Sequence, residues 1–267
     1  MDPLQALILA LIQGLTEFLP VSSSGHLVIP SLLLGWPDQG LAFDVAVHVG
    51  TLAAVLLYFR GDLYRMAIDW LRAPLAPREQ SQSYMVWLLL AATLPAVVLG
   101  LLLGDWLEAT TRSLPVIATT TLLFGLLLGL ADRRAAARQQ GAALTLRVAL
   151  LVGLGQATAL VPGVSRSGVT ITVGLLLGMD RQSAARFSFL LSIPVILGAG
   201  LLKVIDLLQS GVSVQWPMLV LATIAAGLVA YLCIDVFLRW LDRIGLMPFV
   251  WYRVALAALL YAIWLSQ

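Results

Sequence analysis

The chain has 267 residues, 60% of them hydrophobic and only 11% charged, with a mean hydropathy of +0.96. So little charge excludes a soluble domain of this size and indicates an all-α integral membrane protein. A net charge of +2, without basic clusters among aromatics, argues against a nucleic-acid partner, and a single cysteine, Cys233, excludes an internal disulfide.

In chain order, Leu4 to Ile12 imitates a signal peptide. Asp2 stands where positive charge belongs, and Gln13, Thr16 and Glu17 interrupt the run, so the segment is expected to be retained. Leu4 to Leu19 is short for a bilayer and stops at Pro20. A polar tip follows, Ser22-Ser23-Ser24-Gly25-His26, and then an apolar half-helix from Leu27 to Leu34. Helix, break and half-helix is the pattern of a re-entrant hairpin. Spans are expected over 41–59, 84–103 and 114–131, with an Arg- and Pro-rich loop after the first and a polar turn over 105–113.

The polar linker 132–143 separates two copies of one unit. At the offset that carries Gln13 onto Gln156, Val21 meets Val164, Ser22 meets Ser165, Ser24 meets Ser167 and Gly25 meets Gly168. The expected fold is therefore an inverted-topology repeat, each unit one re-entrant hairpin plus three transmembrane helices. The first repeat is 1–131, with its hairpin over 4–35. The second is 144–267, with its hairpin over 144–178 and spans over 187–205, 218–238 and 249–265. This topology collects most of the arginines, among them Arg60, Arg78, Arg133, Arg138, Arg181 and Arg239, on one side. By the positive-inside rule that side is cytoplasmic and both termini face outward.

Broken helices of this kind place a binding site near the midplane. The amides and hydroxyls of Ser22, Ser24, Gly25, Ser165, Ser167, Gly168 and Thr170 suit an anion such as phosphate, or else the serines cap their half-helices and satisfy broken backbone. Arg166 costs at least ~2.5 kcal/mol at membrane depth, so it needs a partner, either a phosphate or Glu17. Gln13 is one turn before Glu17, and the two could hold Mg²⁺ or Ca²⁺ together with phosphate oxygens. His26, three residues after Ser23, is placed to deprotonate it or to act directly on phosphorus. Asp44 and His48 share a helix face as a weaker metal pair, with Asp44 read in preference as a helix cap. Asp180 reads as another cap, Asp235 and Arg239 as a surface pair, and Arg253 as reaching the interface.

Gln13-Gly-Leu-Thr-Glu17-Phe-Leu-Pro-Val-Ser-Ser-Ser-Gly-His26 and Pro162-Gly-Val-Ser-Arg166-Ser-Gly-Val-Thr170 resemble the two signatures of the undecaprenyl-diphosphate phosphatase family (UppP, also called BacA). The likeness extends to Phe43-Asp44-Val45, to Phe187 through Leu191 and to Pro248-Phe249 with Tyr252-Arg253. The resemblance implies hydrolysis of undecaprenyl diphosphate to the monophosphate at the bacterial inner membrane, which recycles the cell-wall lipid carrier and confers bacitracin resistance. It further implies a divalent cation, an isoprenoid lipid diphosphate as substrate and a site open to the periplasm. A homodimer is left open. Carried over by position, the catalytic set is Glu17, Ser23, His26 and Arg166, and the metal set Glu17 and Gln13, with Gln13 where many members have a second glutamate. Ser23 and His26 both stand as nucleophile. The rival expectation is a lipid-phosphate transporter or flippase, which this architecture also serves.

Overall fold

Asp2 caps the first helix: its Oδ1 accepts from the Gln5 N–H at 2.9 Å, and Gln5 Oε1 accepts the Asp2 N–H in return at 3.1 Å. Pro3, which has no N–H to leave unpaired, takes the first helical position. The computed structural model describes residues 2–37, 39–75, 82–137, 141–210 and 215–266, so Arg78 and Arg138 lie outside the described residues. In chain order the helices are α1 (Pro3–Thr16), α2 (Ser23–Leu27), α3 (Ile29–Leu34), α4 (Gly40–Tyr58), α5 (Arg60–Arg72) and α6 (Ser83–Thr111). After them come α7 (Leu114–Ala136), α8 (Leu146–Ala157, prolonged by a 3₁₀ turn over Thr158–Leu160), α9 (Arg166–Leu176), α10 (Arg181–Ser210), α11 (Trp216–Ile244) and α12 (Met247–Leu265).

Six of these, α4, α6, α7, α10, α11 and α12, are long and apolar enough to cross a membrane. Their outward faces carry exposed leucines such as Leu94, Leu102, Leu126, Leu201 and Leu232, which in water would be a liability and in lipid are the solvated surface. The core runs between α4, α9, α10 and α11, where Phe18, Phe189 and Phe237 meet edge to face or tilted. α4 packs on α11, α7 on α12, α1 on α11 and α8 on α6. A Cβ on Gly50 would collide with the Thr223 backbone, so α4 and α11 touch backbone to backbone there.

Several local expectations change. The stretch after Phe59 is helical as α5 rather than a loop: Asp62 favours its first turn and Arg72 its last, and the prolines come only after Arg72. Asp62 also joins Arg65 at 2.6 Å and Arg186 at 2.8 Å. The expected turn over 105–113 is mostly the end of α6, which runs through Thr111. The half-helix after the first tip is two pieces, because Pro30 has no N–H to give the His26 carbonyl, which accepts from Val28 instead. Asp132 is not a solvated linker residue. It is 2% exposed in α7, pairs with Arg181 at 2.6 Å and accepts from the Leu246 N–H at 3.2 Å.

Asp44 sits a full turn inside α4, so it does not cap that helix. Asp180 does cap α10, accepting from the Ser183 N–H at 2.8 Å. Partial burial pushes the Asp180 carboxyl up, but the hydrogen bonds from Ser183 outweigh it and hold the group below the usual carboxylate range. Asp235 and Arg239 pair at 2.9 Å as their spacing suggests, and Cys233 is buried, its thiol donating to the Leu15 carbonyl.

Candidate active site

Ser22 and Ser165 are the only non-glycine residues with positive φ among the described residues, and they share a backbone, φ 75° and ψ 93° against φ 72° and ψ 111°. The reason is local. Each ends a tight turn and caps the helix that follows, Ser22 Oγ accepting from Gly25 N at 3.4 Å and Ser165 Oγ from Gly168 N at 3.1 Å. Such backbone costs on the order of 1–3 kcal/mol and persists only where its surroundings enforce it.

The enforcement comes from the opposite tip. Ser24 Oγ accepts from Gly163 N at 3.2 Å, and Ser167 Oγ donates to Leu19 O at 2.9 Å. Gly163, at φ 90°, lies so close to α7 that a Cβ would strike Thr120 and Ile117. Behind both tips is Arg253 of α12, fully buried. Its Nε donates to Thr121 O at 3.0 Å, Nη1 to Pro20 O at 3.3 Å, and Nη2 to Gly163 O and Val164 O at 3.0 and 3.1 Å. Arg253 therefore does not reach the interface. Its planar fork satisfies carbonyls that both broken helices leave open.

On the other side of the tips, Glu17 and Arg166 meet. Arg166 Nη2 donates to Glu17 Oε1 at 2.8 Å and Nη1 to Ser188 O at 3.3 Å, with the guanidinium over the Phe18 ring. The other carboxylate oxygen, Glu17 Oε2, accepts from Gln13 Nε2 at 2.8 Å and from Ser23 Oγ at 3.3 Å. His48 Nε2 stands 3.3 Å from Gln13 Nε2 and 3.9 Å from Glu17 Oε2. A cavity of about 190 Å³ opens here between α4, α6, α8 and α10, lined by Glu17, Asp44, His48, Gln156, Arg166 and Lys203 with an otherwise apolar wall.

The structure thus brings together Glu17, Ser23, Arg166 and Gln13. His26 is placed elsewhere: its Nδ1 donates to Ser22 O at 2.7 Å, and its Nε2 accepts from Tyr252 OH at 2.5 Å, the two rings stacked. It makes no hydrogen bond to Ser23. The hydroxyls of Ser22, Ser24, Ser165 and Ser167 are engaged in capping and cross-tying, and Thr170 bonds Arg166 O, Ser167 O and Ser188 Oγ within the protein. Residues the sequence underrated are His48, Lys203, Gln156, Tyr252 and Arg253. Two carried a usable signal: His48 is one of only 2 histidines and lies inside an apolar run, and Arg253 is a charge in a span.

Among the described residues no three His, Cys, Asp or Glu side chains gather as a metal centre. The donor set still suits a cation. Gln13 is fully buried, its Oε1 has no hydrogen-bond partner, and a half-turn of the amide would turn that oxygen toward Glu17.

The profile of the family described as bacitracin resistance protein BacA matches residues 6–259. The chain belongs to the BacA family. It is similar to proteins named undecaprenyl-diphosphatase from Chromohalobacter salexigens, 55% identical over 266 residues and 100% of both chains, and Alcanivorax borkumensis, 54% identical over 268 residues and 100% of both. Its likeness to the undecaprenyl-diphosphatase of Alteromonas mediterranea is 52% over 256 residues, 96% of both chains.

Proposed function

We propose that the chain hydrolyses undecaprenyl diphosphate to undecaprenyl phosphate and inorganic phosphate. One observation carries the reading: Glu17 and Arg166, from opposite halves of the chain, pair at the edge of one cavity with an apolar wall, and Ser23 donates to the same Glu17 carboxylate. The names of its relatives favour hydrolysis over lipid transport. The matched caps at Ser22 and Ser165 support two inverted units, 1–131 and 144–267, joined by the linker 132–143, each a re-entrant hairpin and three spans. On that topology the protein sits in the inner membrane with both termini and the site facing the periplasm, and its activity recycles the cell-wall lipid carrier and underlies bacitracin resistance.

In the mechanism the diphosphate enters the cavity and its tail stays along the apolar side. Arg166 exchanges part of its contact with Glu17 for the phosphoryl oxygens, and its fixed fork holds the charge that develops on them. Ser23 attacks the terminal phosphorus. Its proton passes to the Glu17 carboxylate that it faces, on the oxygen that Arg166 gives up, and the P–O bond to the bridging oxygen breaks, releasing undecaprenyl phosphate. Water then frees inorganic phosphate and restores the hydroxyl. His26, clamped between Ser22 O and Tyr252, holds the first tip against α12. Glu17 and Gln13 would hold a divalent cation, Mg²⁺ or Ca²⁺, which when bound supplies positive charge against the phosphoryl oxygens.

The test is phosphate release from undecaprenyl diphosphate by detergent-solubilised protein, with and without EDTA, and with Arg166→Ala. The expected result is metal-dependent release in the native chain and none in the variant. Folded Arg166→Ala turning over normally, or lipid moved across vesicles with no phosphate released, overturns the reading.

A further inference from the structure

We infer that His48 is a third protein ligand of the cation held at Glu17, and that its imidazole makes the site prefer Mn²⁺ or Co²⁺ over Ca²⁺. The inference rests on the metal site of the proposed hydrolase and extends it to a residue of α4 outside both tips. His48 Nδ1 lies 2.7 Å from the carbonyl oxygen of Asp44, one turn earlier on the same helix. A carbonyl only accepts, so Nδ1 carries a hydrogen, and Nε2, which faces the Gln13 amide nitrogen at 3.3 Å, is the ring nitrogen left to act as acceptor or ligand. Backbone anchoring of one ring nitrogen is what orients the other toward a metal.

That nitrogen faces the right oxygen. Glu17 divides its carboxylate: Oε1 is taken by Arg166, while Oε2 is the atom on which Gln13, Ser23 and His48 converge. The 3.9 Å between His48 Nε2 and Glu17 Oε2 is too long for a hydrogen bond. It falls within the roughly 4 Å that two metal–ligand bonds of about 2.0–2.2 Å span across one ion. The third donor is the Gln13 amide: its nitrogen now touches both His48 and Glu17, and a half-turn exchanges it for the buried, unpartnered Oε1. One carboxylate, one amide oxygen and one imidazole leave the remaining positions to phosphate oxygens and water. An all-oxygen set favours Ca²⁺ or Mg²⁺, whereas an imidazole shifts preference toward later divalent metals.

The experiment exploits the fact that the chain has only 2 histidines. Purified tag-free protein in detergent is loaded with Mn²⁺ and studied by electron spin echo envelope modulation, alongside His48→Gln and His26→Gln, and Mn²⁺ and Ca²⁺ affinities are measured by titration. Nitrogen-14 modulation is expected in the native chain and in His26→Gln and should vanish in His48→Gln. That variant should also bind Mn²⁺ roughly 10-fold or more weakly while its Ca²⁺ affinity changes little. Modulation that is missing in the native chain, survives His48→Gln or disappears in His26→Gln overturns the proposal, as does a native chain that binds no Mn²⁺. Because the spectrum of the native and His26→Gln proteins is decisive, misfolding of His48→Gln does not rescue it. Phosphate release is read separately, so a failed ligand assignment with release intact leaves the hydrolase standing.

Discussion

Glu17 and Arg166 lie 149 positions apart in the chain and 2.8 Å apart in space. Neither is solvated, with 9% and 13% of their side chains exposed. Removing one partner strands the other charge, which costs about 3–5 kcal/mol, whereas removing both charges does not. Glu17→Ala and Arg166→Ala should each lower the melting temperature in detergent and reduce phosphate release by at least about 10²-fold. The double variant Glu17→Gln/Arg166→Gln should regain most of the melting temperature and none of the activity. A double variant no more stable than the singles would show that the pair is not coupled.

Arg253 offers a different separation of stability from chemistry. It touches neither Glu17 nor Ser23, and it donates to four backbone carbonyls drawn from α7 and both tips. Lysine brings one point charge with no planar fork, so Arg253→Lys leaves carbonyls unpaired at ~1–3 kcal/mol each. The expected outcome is a sharply lower melting temperature and faster proteolysis near the tips, with residual turnover showing a near-normal KM. Unchanged melting would remove Arg253 from its clamping role.

The tip serines should divide into two groups. Ser24→Ala and Ser167→Ala each break a tie between the tips and should cost ~1 kcal/mol of stability, read by thermal melting. Ser23 bonds Glu17 instead, so Ser23→Ala should melt like the native chain and lose phosphate release. If Ser23→Ala retains full turnover while His26→Ala loses it, the nucleophile is not Ser23.

Asp180 gives a pH-dependent contribution outside the membrane. Its carboxyl is held low in the folded protein, so the helix cap contributes fully above the ordinary aspartate value of ~3.9 and is lost as pH falls through the folded value. Asp180→Ala should cost about 1 kcal/mol at neutral pH and nothing once the carboxyl is protonated. Melting curves of both proteins across acidic pH should converge at the low end.

The amino-acid pattern alone is enough to place the chain in a membrane, to stop its first and eighth helices before Pro20 and Pro162, although they end earlier than expected, at Thr16 and Ala157, and to mark Ser22 and Ser165 as equivalent positions in two copies of one motif. These features are local: hydropathy, a missing N–H and a recurring spacing act over one or two turns of chain. Tertiary structure alone decides which oxygen of Glu17 faces Arg166, that His48 rather than His26 stands beside that carboxylate, and that Arg253 and Asp132 are buried. A charge in an apolar helix announces that it needs a partner, but the partner is chosen by which helices pack together, and no spacing along the chain encodes that distance.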